Sequence, residues 1–297
     1  HLLNGRGEAL QYSTTSATAT DAIYQLLSPG VYYIWVFPNT PSAGTDYTLT
    51  INSQSTPSKM NLLWRDTETG ANQAWLMGGA SNTVSAGSAP ILNADPNWTM
   101  AGTADFNRDG NLDLVWRNTS SGSNVIWFMG GGNNTTLISY ASLASASTAL
   151  QIGGVADFNA DGSPDLLWRN SGTGANVVWF MGGTNNTTLV SHAALSQTAS
   201  PSWRIEGVSD FNQDGAPDIV WRNPGSSNTI IWFMGGTNNA TLVSHAVLNQ
   251  AASPIWRIQG VTDFNQDGSL DLFWRNSESG SNVVWFMGGT NNTSLIS

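Results

Sequence analysis

Four stretches of the chain carry the pattern D-x-N-x-D-G-x-x-D: Asp105-Asn107-Asp109-Gly110-Asp113, Asp157-Asn159-Asp161-Gly162-Asp165, Asp210-Asn212-Asp214-Gly215-Asp218 and Asp263-Asn265-Asp267-Gly268-Asp271. Three carboxylates and an amide oxygen held within one short loop repel one another unless a cation sits among them. Ca²⁺, which takes 6–8 hard oxygen ligands, suits such a set. Glycine at the sixth place admits the positive φ that lets the backbone curl round an ion. The seventh residue (Asn111, Ser163, Ala216 or Ser269) is expected to lend its backbone carbonyl, with water completing the shell. About four Ca²⁺ ions per chain are therefore expected, in structural roles. The competing reading is a set of Asx-turns that hold a hairpin without metal, although such a turn needs one Asp rather than three. The loops are not EF-hands. The twelfth place, a bidentate Glu there, holds Trp116, Trp168, Trp221 or Trp274, and the residues that follow read as a strand.

The elements that must position these loops come from an internal repeat. Trp64, Trp116, Trp168, Trp221 and Trp274 are each followed by Arg, at spacings of 52, 52, 53 and 53, and Trp75, Trp127, Trp179, Trp232 and Trp285 keep the same spacings. Two registers sharing one period over five copies define a structural repeat. The unit beginning at Trp203 parses into strands at about Trp203–Ser209, Pro217–Arg222, Thr229–Met234 and Thr241–Leu248, separated by turn-forming clusters. Its third strand, with Ile230, Ile231, Trp232, Phe233 and Met234, is apolar on both faces and so needs layers on both sides of its sheet. Four-stranded sheets stacked radially supply this, and a period of about 50 residues suits a propeller. The expected fold is all-β, a β-propeller of about five four-stranded blades preceded by a partial β-sandwich segment. The first copy, from about Met60, shows no preceding first strand and no acidic loop, and the last stops at Ser297 within its fourth strand. Five blades close a ring unless further blades lie beyond either end.

Composition narrows the function. The net charge is −10, with 10 basic residues in no basic run, which argues against phosphate-driven nucleic-acid binding and against an anionic membrane surface. No stretch reaches the ~18 apolar residues of a membrane span. There is no Cys, which removes disulfides and thiolate metal sites. The chain begins at His1 without a signal-peptide core, which fits a removed leader or a processed product.

A D-x-N-x-D-G-x-x-D loop between two strands, four times in phase, resembles the FG-GAP/VCBS repeats of integrin-type propellers, over residues 56–297. That resemblance implies hairpin loops holding Ca²⁺ and a role in adhesion and recognition; the copy near Met60 departs from it and is expected to hold no ion. Residues 1–55 contain no copy of the repeat. Leu27, Ser28, Pro29, Gly30, Tyr32, Tyr33, Ile34 and Val36, followed by Gly44, Thr45, Asp46, Tyr47, Thr48, Leu49, Thr50 and Ile51, resemble the C-terminal half of a bacterial pre-peptidase C-terminal domain, with 52–59 as linker.

Trp-Arg-Asn at the end of the second strand, as in Trp221-Arg222-Asn223, has two readings. It is a sugar-binding trio, or a Trp packed between blades beside an Arg that pairs with a carboxylate or stacks on a neighbouring ring. Strand alternation puts Trp and Arg on opposite faces and favours the second. Asn133, Asn134, Asn185, Asn186, Asn239, Asn291 and Asn292 lie in N-x-S/T triplets, which are glycan acceptors in a eukaryotic secretory host and otherwise good turn formers. His192 and His245 recur with the repeat, and no hydrolase or phosphate-loop motif is present. The expected class is a secreted, calcium-binding structural or adhesive repeat protein without catalysis, at the cell surface or outside it. Its expected partners are other copies of itself, an extracellular protein or a glycan. The alternatives are a filament subunit assembled by completing unpaired strands, a lectin-like propeller, and the accessory region of a secreted peptidase.

Overall fold

The computed structural model describes residues 61–296, apart from Ala80, Asn249 and Ala251, together with three short strands nearer the amino end. The chain divides into two compact units, His1–Thr56 and Pro57–Ser297. In the first, β1 (Leu2–Leu3) pairs antiparallel with both β2 (Ala9–Gln11) and β3 (Tyr33–Ile34). β3 falls within the stretch expected to form a sandwich strand. The second expected strand, around Asp46 to Ile51, and the pre-peptidase-like residues near it lie outside the described residues.

The second unit is a ring of five blades, each an antiparallel meander. Blade 1 comprises β4 (Asn61–Arg65), β5 (Asn72–Gly78) and β6 (Val84–Ile91). Blade 2 comprises β7 (Trp98–Ala104), β8 (Asp113–Asn118), β9 (Asn124–Gly130) and β10 (Thr136–Leu143). Blade 3 comprises β11 (Leu150–Ala156), β12 (Asp165–Asn170), β13 (Asn176–Gly182) and β14 (Thr188–Ala194). Blade 4 comprises β15 (Arg204–Ser209), β16 (Asp218–Asn223), β17 (Asn228–Gly235) and β18 (Thr241–Val247). Blade 5 comprises β19 (Trp256–Thr262), β20 (Asp271–Asn276), β21 (Asn282–Trp285), β22 (Met287–Gly288) and β23 (Ser294–Leu295). The strands read from the blade at Trp203 agree with the observed ones to within a residue at each end.

Neighbouring innermost strands approach one another from β7 through β11 and β15 to β19. Each slips register against its second strand after Met100, Ile152, Ile205 or Ile258, a bulge that bends the strand. A glycine follows the bulge in blades 2 to 4 because the next blade leaves no room for a side chain: a Cβ on Gly102 would lie 2.6 Å from Val155 Cγ2, and one on Gly207 would lie 2.5 Å from Val261 Cγ2.

The core lies between blades rather than within them. Val115, Ile126 and Phe128 of blade 2 pack with Leu166 and Trp168 of blade 3, and Val220, Ile231 and Phe233 of blade 4 pack with Leu272 and Trp274 of blade 5. β17 feeds two cores, Ile231 and Phe233 on one side and Ile230, Trp232 and Met234 on the other, as its continuous apolar run requires. The ring closes between blades 5 and 1. The Arg275 guanidinium lies 4.7 Å from the Trp64 ring centroid, the Trp64 and Phe273 rings are 6.4 Å apart, and Asn82 Nδ2 donates to the Phe264 carbonyl at 2.9 Å.

Candidate functional site: the acidic loops

Each acidic loop connects the first two strands of its blade, so blades 2 to 5 present four equivalent loops at one end of the ring. Blade 1 has no such loop among the described residues, and Asn61 stands where the other blades have the ninth-position Asp. The loop conformation follows from its residues. The fourth residue takes a left-handed φ (Arg108 62°, Ala160 57°, Gln213 60°, Gln266 59°), and the sixth, Gly110, Gly162, Gly215 or Gly268, takes φ of 83–89°, where a Cβ would strain the backbone.

The oxygens expected to ligate a cation are turned to the loop's own backbone. Asp105 accepts the N–H groups of Asp109 at 3.1 Å and Gly110 at 2.9 Å. Asn107 Oδ1 accepts Asp109 N–H, and Asn107 Nδ2 donates to Asp109 Oδ2 at 2.9 Å. Asp109 Oδ1 accepts the N–H of Asn111, the seventh residue, at 2.8 Å. The same pattern recurs at Asp157, Asn159, Asp161 and Ser163, at Asp210, Asn212, Asp214 and Ala216, and at Asp263, Asn265, Asp267 and Ser269. Among the described residues no three His, Cys, Asp or Glu side chains converge on a common point. The loops thus have the Asx-turn geometry built from an all-oxygen donor set whose chemistry suits a hard cation.

The ninth-position carboxylates differ from the rest. Asp113, Asp165, Asp218 and Asp271 are fully buried. One oxygen of each accepts the N–H of the loop's second residue, Phe106, Phe158, Phe211 or Phe264, at 2.8–2.9 Å. The other accepts the N–H of a methionine on the third strand, Met129, Met181, Met234 or Met287, at 2.8–2.9 Å. Each of these Asp residues therefore ties loop, second strand and third strand together. Burial pushes all four carboxyls upward, Asp165 to about 7 and Asp218 to about 6, against the lowering effect of those N–H donors; Asp157 and Asp161 push Asp165 further. The single ion pair among the described residues is Arg257–Glu206 at 3.3 Å, so none of the loop carboxylates has a salt-bridge partner.

Sequence reasoning passed over two further sets of residues. The loop phenylalanines are buried to 1% exposure or less and anchor each loop in the core; their recurrence directly after the first Asp was the available signal. The loops are also linked from blade to blade. Arg108 donates to the Gly162 carbonyl at 3.1 Å, and Gln213 to the Gly268 carbonyl at 2.7 Å. Asn186 and Asn292 reach back to the carbonyls of Phe106 and Phe211 at 2.9 and 3.1 Å.

The Trp-Arg pairs settle as inter-blade packing. Trp116, Trp168, Trp221 and Trp274 are 0–1% exposed, which leaves them no face for a sugar. The Arg of each blade lies over the Trp of the next: Arg65 on Trp116, Arg117 on Trp168, Arg169 on Trp221, Arg222 on Trp274 and Arg275 on Trp64, at 4.7–5.1 Å.

The model of the FG-GAP-like repeat matches residues 105–168, and that of the FG-GAP repeat matches residues 202–244. Over these matched residues the chain carries FG-GAP repeats. The matched FG-GAP segments contain the acidic loops of blades 2, 3 and 4. No curated protein matches the chain. Among solved structures, the chain is similar to a chain of a crystallised nidogen/laminin complex, with 12% identity over 76% of this chain and 88% of that one, and a TM-score of 0.42.

Proposed function

We propose that this FG-GAP propeller is a calcium-stapled structural or adhesive module that works outside the cell and performs no catalysis. The FG-GAP propeller fold suggests a structural or protein-binding role, and such repeats are typical of extracellular or surface proteins. Among the described residues, no helix is long and apolar enough to cross a membrane.

The observation that carries the calcium reading is uncompensated charge. Each loop carries three carboxylates within nine residues, none with a salt-bridge partner among the described residues, and one of the three is fully buried. A buried carboxylate without a counter-charge is costly, and an all-oxygen loop is suited to receive a hard divalent cation. The holding residues would be the first, third, fifth and ninth of each loop, with the seventh residue's carbonyl. In blade 2 these are Asp105, Asn107, Asp109, Asp113 and Asn111. A bound ion would neutralise the loop and fix the hairpin that carries it, leaving four rigid loops at one end of the ring as a recognition surface for a protein or glycan.

Isothermal titration of the chelated protein with Ca²⁺ is expected to give about four sites per chain and a raised melting temperature. A flat titration, with melting unmoved by chelator, would leave the loops as metal-free Asx-turn hairpins and end the calcium reading.

A further inference from the structure

Where blades 2 and 3 meet, at the end of the ring that carries the acidic loops, the surface sinks into a polar pocket of about 250 Å³. That is just under the ~300–1,000 Å³ of sites for drug-sized ligands, and it suits a ligand of one sugar ring. The pocket lies between Arg108 of the blade 2 loop, Ser163 of the blade 3 loop, and Asn185 and Asn186 in the turn from β13 to β14.

Two hydrogen bonds across the seam fix its shape. Arg108 Nη2 donates to the Gly162 carbonyl at 3.1 Å, with Ser163 Oγ at 3.4 Å. Asn186 Nδ2 donates to the Phe106 carbonyl at 2.9 Å. Each side chain uses only part of its capacity in this way. A guanidinium donates through all three of its nitrogens, and among the described residues Arg108 Nε and Nη1 have no acceptor. Asn186 lines the pocket while only 5% exposed. Its Oδ1 accepts no hydrogen bond among the described residues, and a buried polar atom of this kind needs a partner. Asn185 stands exposed on the rim, with neither end of its amide bonded among the described residues.

The unused groups are of both kinds, donors on Arg108 and Asn185 and acceptors on Asn185 and Asn186. A hydroxyl both donates and accepts, so a ring bearing neighbouring hydroxyls satisfies such a set. A carboxylate only accepts. It would suit Arg108 but oppose Asn186 Oδ1, and it would lie near the blade 3 loop, where the Arg108 charge already acts on Asp161. A protein partner is held best by an apolar or aromatic anchor in a desolvated centre, and the one aromatic side chain here, Phe106, is wholly buried. The neighbouring seams differ. Between blades 3 and 4, Ala160 and Ala216 occupy the places of Arg108 and Ser163. Between blades 4 and 5 the pair is Gln213 and Ser269, and Gln213 Nε2 donates to the Gly268 carbonyl at 2.7 Å. Only Arg108 brings a guanidinium with further donors to this position.

We propose that the pocket between blades 2 and 3 binds one neutral, hydroxyl-rich sugar ring of a glycan, with Arg108 and Asn185 donating to its hydroxyls and Asn186 Oδ1 accepting from one. The proposal rests on the adhesive reading above and gives it a ligand class and a place. A site held by hydrogen bonds, without an apolar platform, is expected to bind a single ring with a dissociation constant on the order of 1 mM.

The test follows the amide resonances of the full chain by NMR, in chelator and again in Ca²⁺. The probes are the methyl glycosides of glucose, galactose, mannose, fucose and N-acetylglucosamine, with methyl glucuronide as the acidic counterpart. At least one neutral glycoside is expected to shift the amides of Gly183, Asn185 and Asn186 saturably. Arg108→Gln, which brings in the side chain that blades 4 and 5 carry at this place, is expected to weaken binding about tenfold, the worth of one charged hydrogen bond. Asn185→Gly keeps the left-handed φ of 55° at no steric cost and is expected to weaken it about fivefold, which keeps the test valid should the Arg108 variant fail to fold. His245→Ala, on the outer strand of blade 4, is expected to leave binding unchanged. Equal binding by the parent and both pocket variants would overturn the proposal, as would binding of the glucuronide alone. So would the absence of any shift from a neutral glycoside in both conditions. That last result would leave the calcium titration and a protein partner standing, so loss of the sugar site is read apart from loss of the adhesive reading.

Discussion

Replacing Arg222 and Arg275 by alanine, one at a time, compares equivalent positions of blades 4 and 5. The two residues occupy the same place in successive blades and stack on the same kind of ring, at 4.9 Å from Trp274 and 4.7 Å from Trp64. Arg222 is fully buried and donates to the carbonyls of Trp256, Ser227, Ala252 and Ser253 and to Thr229 Oγ1, at 2.8–3.3 Å. Its burial is itself unfavourable, and desolvation pulls its pKa down, so the gross strength of these bonds overstates their net value. Removing it, however, leaves buried carbonyls without donors, and breaking a buried charged network of this kind costs about 3–5 kcal/mol. Arg275 is half-buried and, among the described residues, makes two hydrogen bonds, to the Gly280 carbonyl and Asn282 Oδ1. Its loss is expected to cost about 1–2 kcal/mol, including a cation–π contribution of about 0.5–1 kcal/mol. Urea unfolding of both variants, with the slope checked for constancy, should therefore place Arg222→Ala at least ~2 kcal/mol below Arg275→Ala. Equal losses would refute the argument, since they would mean that the carbonyls bonded by Arg222 contribute nothing beyond the ring contact the two residues share.

Two further outcomes follow from the same geometry. Gly207→Ala is expected to destabilise by about 1–3 kcal/mol through overpacking against Val261. Thermal unfolding of the variant checks this, and an unchanged melting temperature would show that Val261 yields without cost. In chelator, stability is expected to fall as pH rises from about 4 to about 7. Asp165 and Asp218, raised to about 7 and about 6, keep in the folded state a proton that the unfolded chain has already released, so each deprotonation of the native state above the ordinary carboxyl value weakens folding. Saturating Ca²⁺ should abolish that fall, and a urea midpoint that instead rises with pH in chelator would contradict it.

The period of 52–53 residues, the four strands of a complete blade and the positions of the acidic loops were all legible in the sequence. They depend on local rules: strand alternation, turn chemistry at Asn, Asp and Gly, and an apolar run too continuous for a half-exposed sheet. The left-handed φ at Gly110 and its three counterparts follows from residue type alone. What tertiary structure decided involves residues in neighbouring blades. Nothing local to Arg117 says that it lies over Trp168, nor does anything local to Asn186 say that it reaches the Phe106 carbonyl. Those contacts exist because radial packing brings the second strand of one blade against the face of its neighbour. The ninth-position aspartates make the same point within a single blade. By sequence, Asp165 is one carboxylate among three, but the fold buries it and gives its oxygens to Phe158 and Met181. Ring closure was likewise decided only in three dimensions, because it depends on which faces of blades 5 and 1 meet, as Arg275 and Trp64 do.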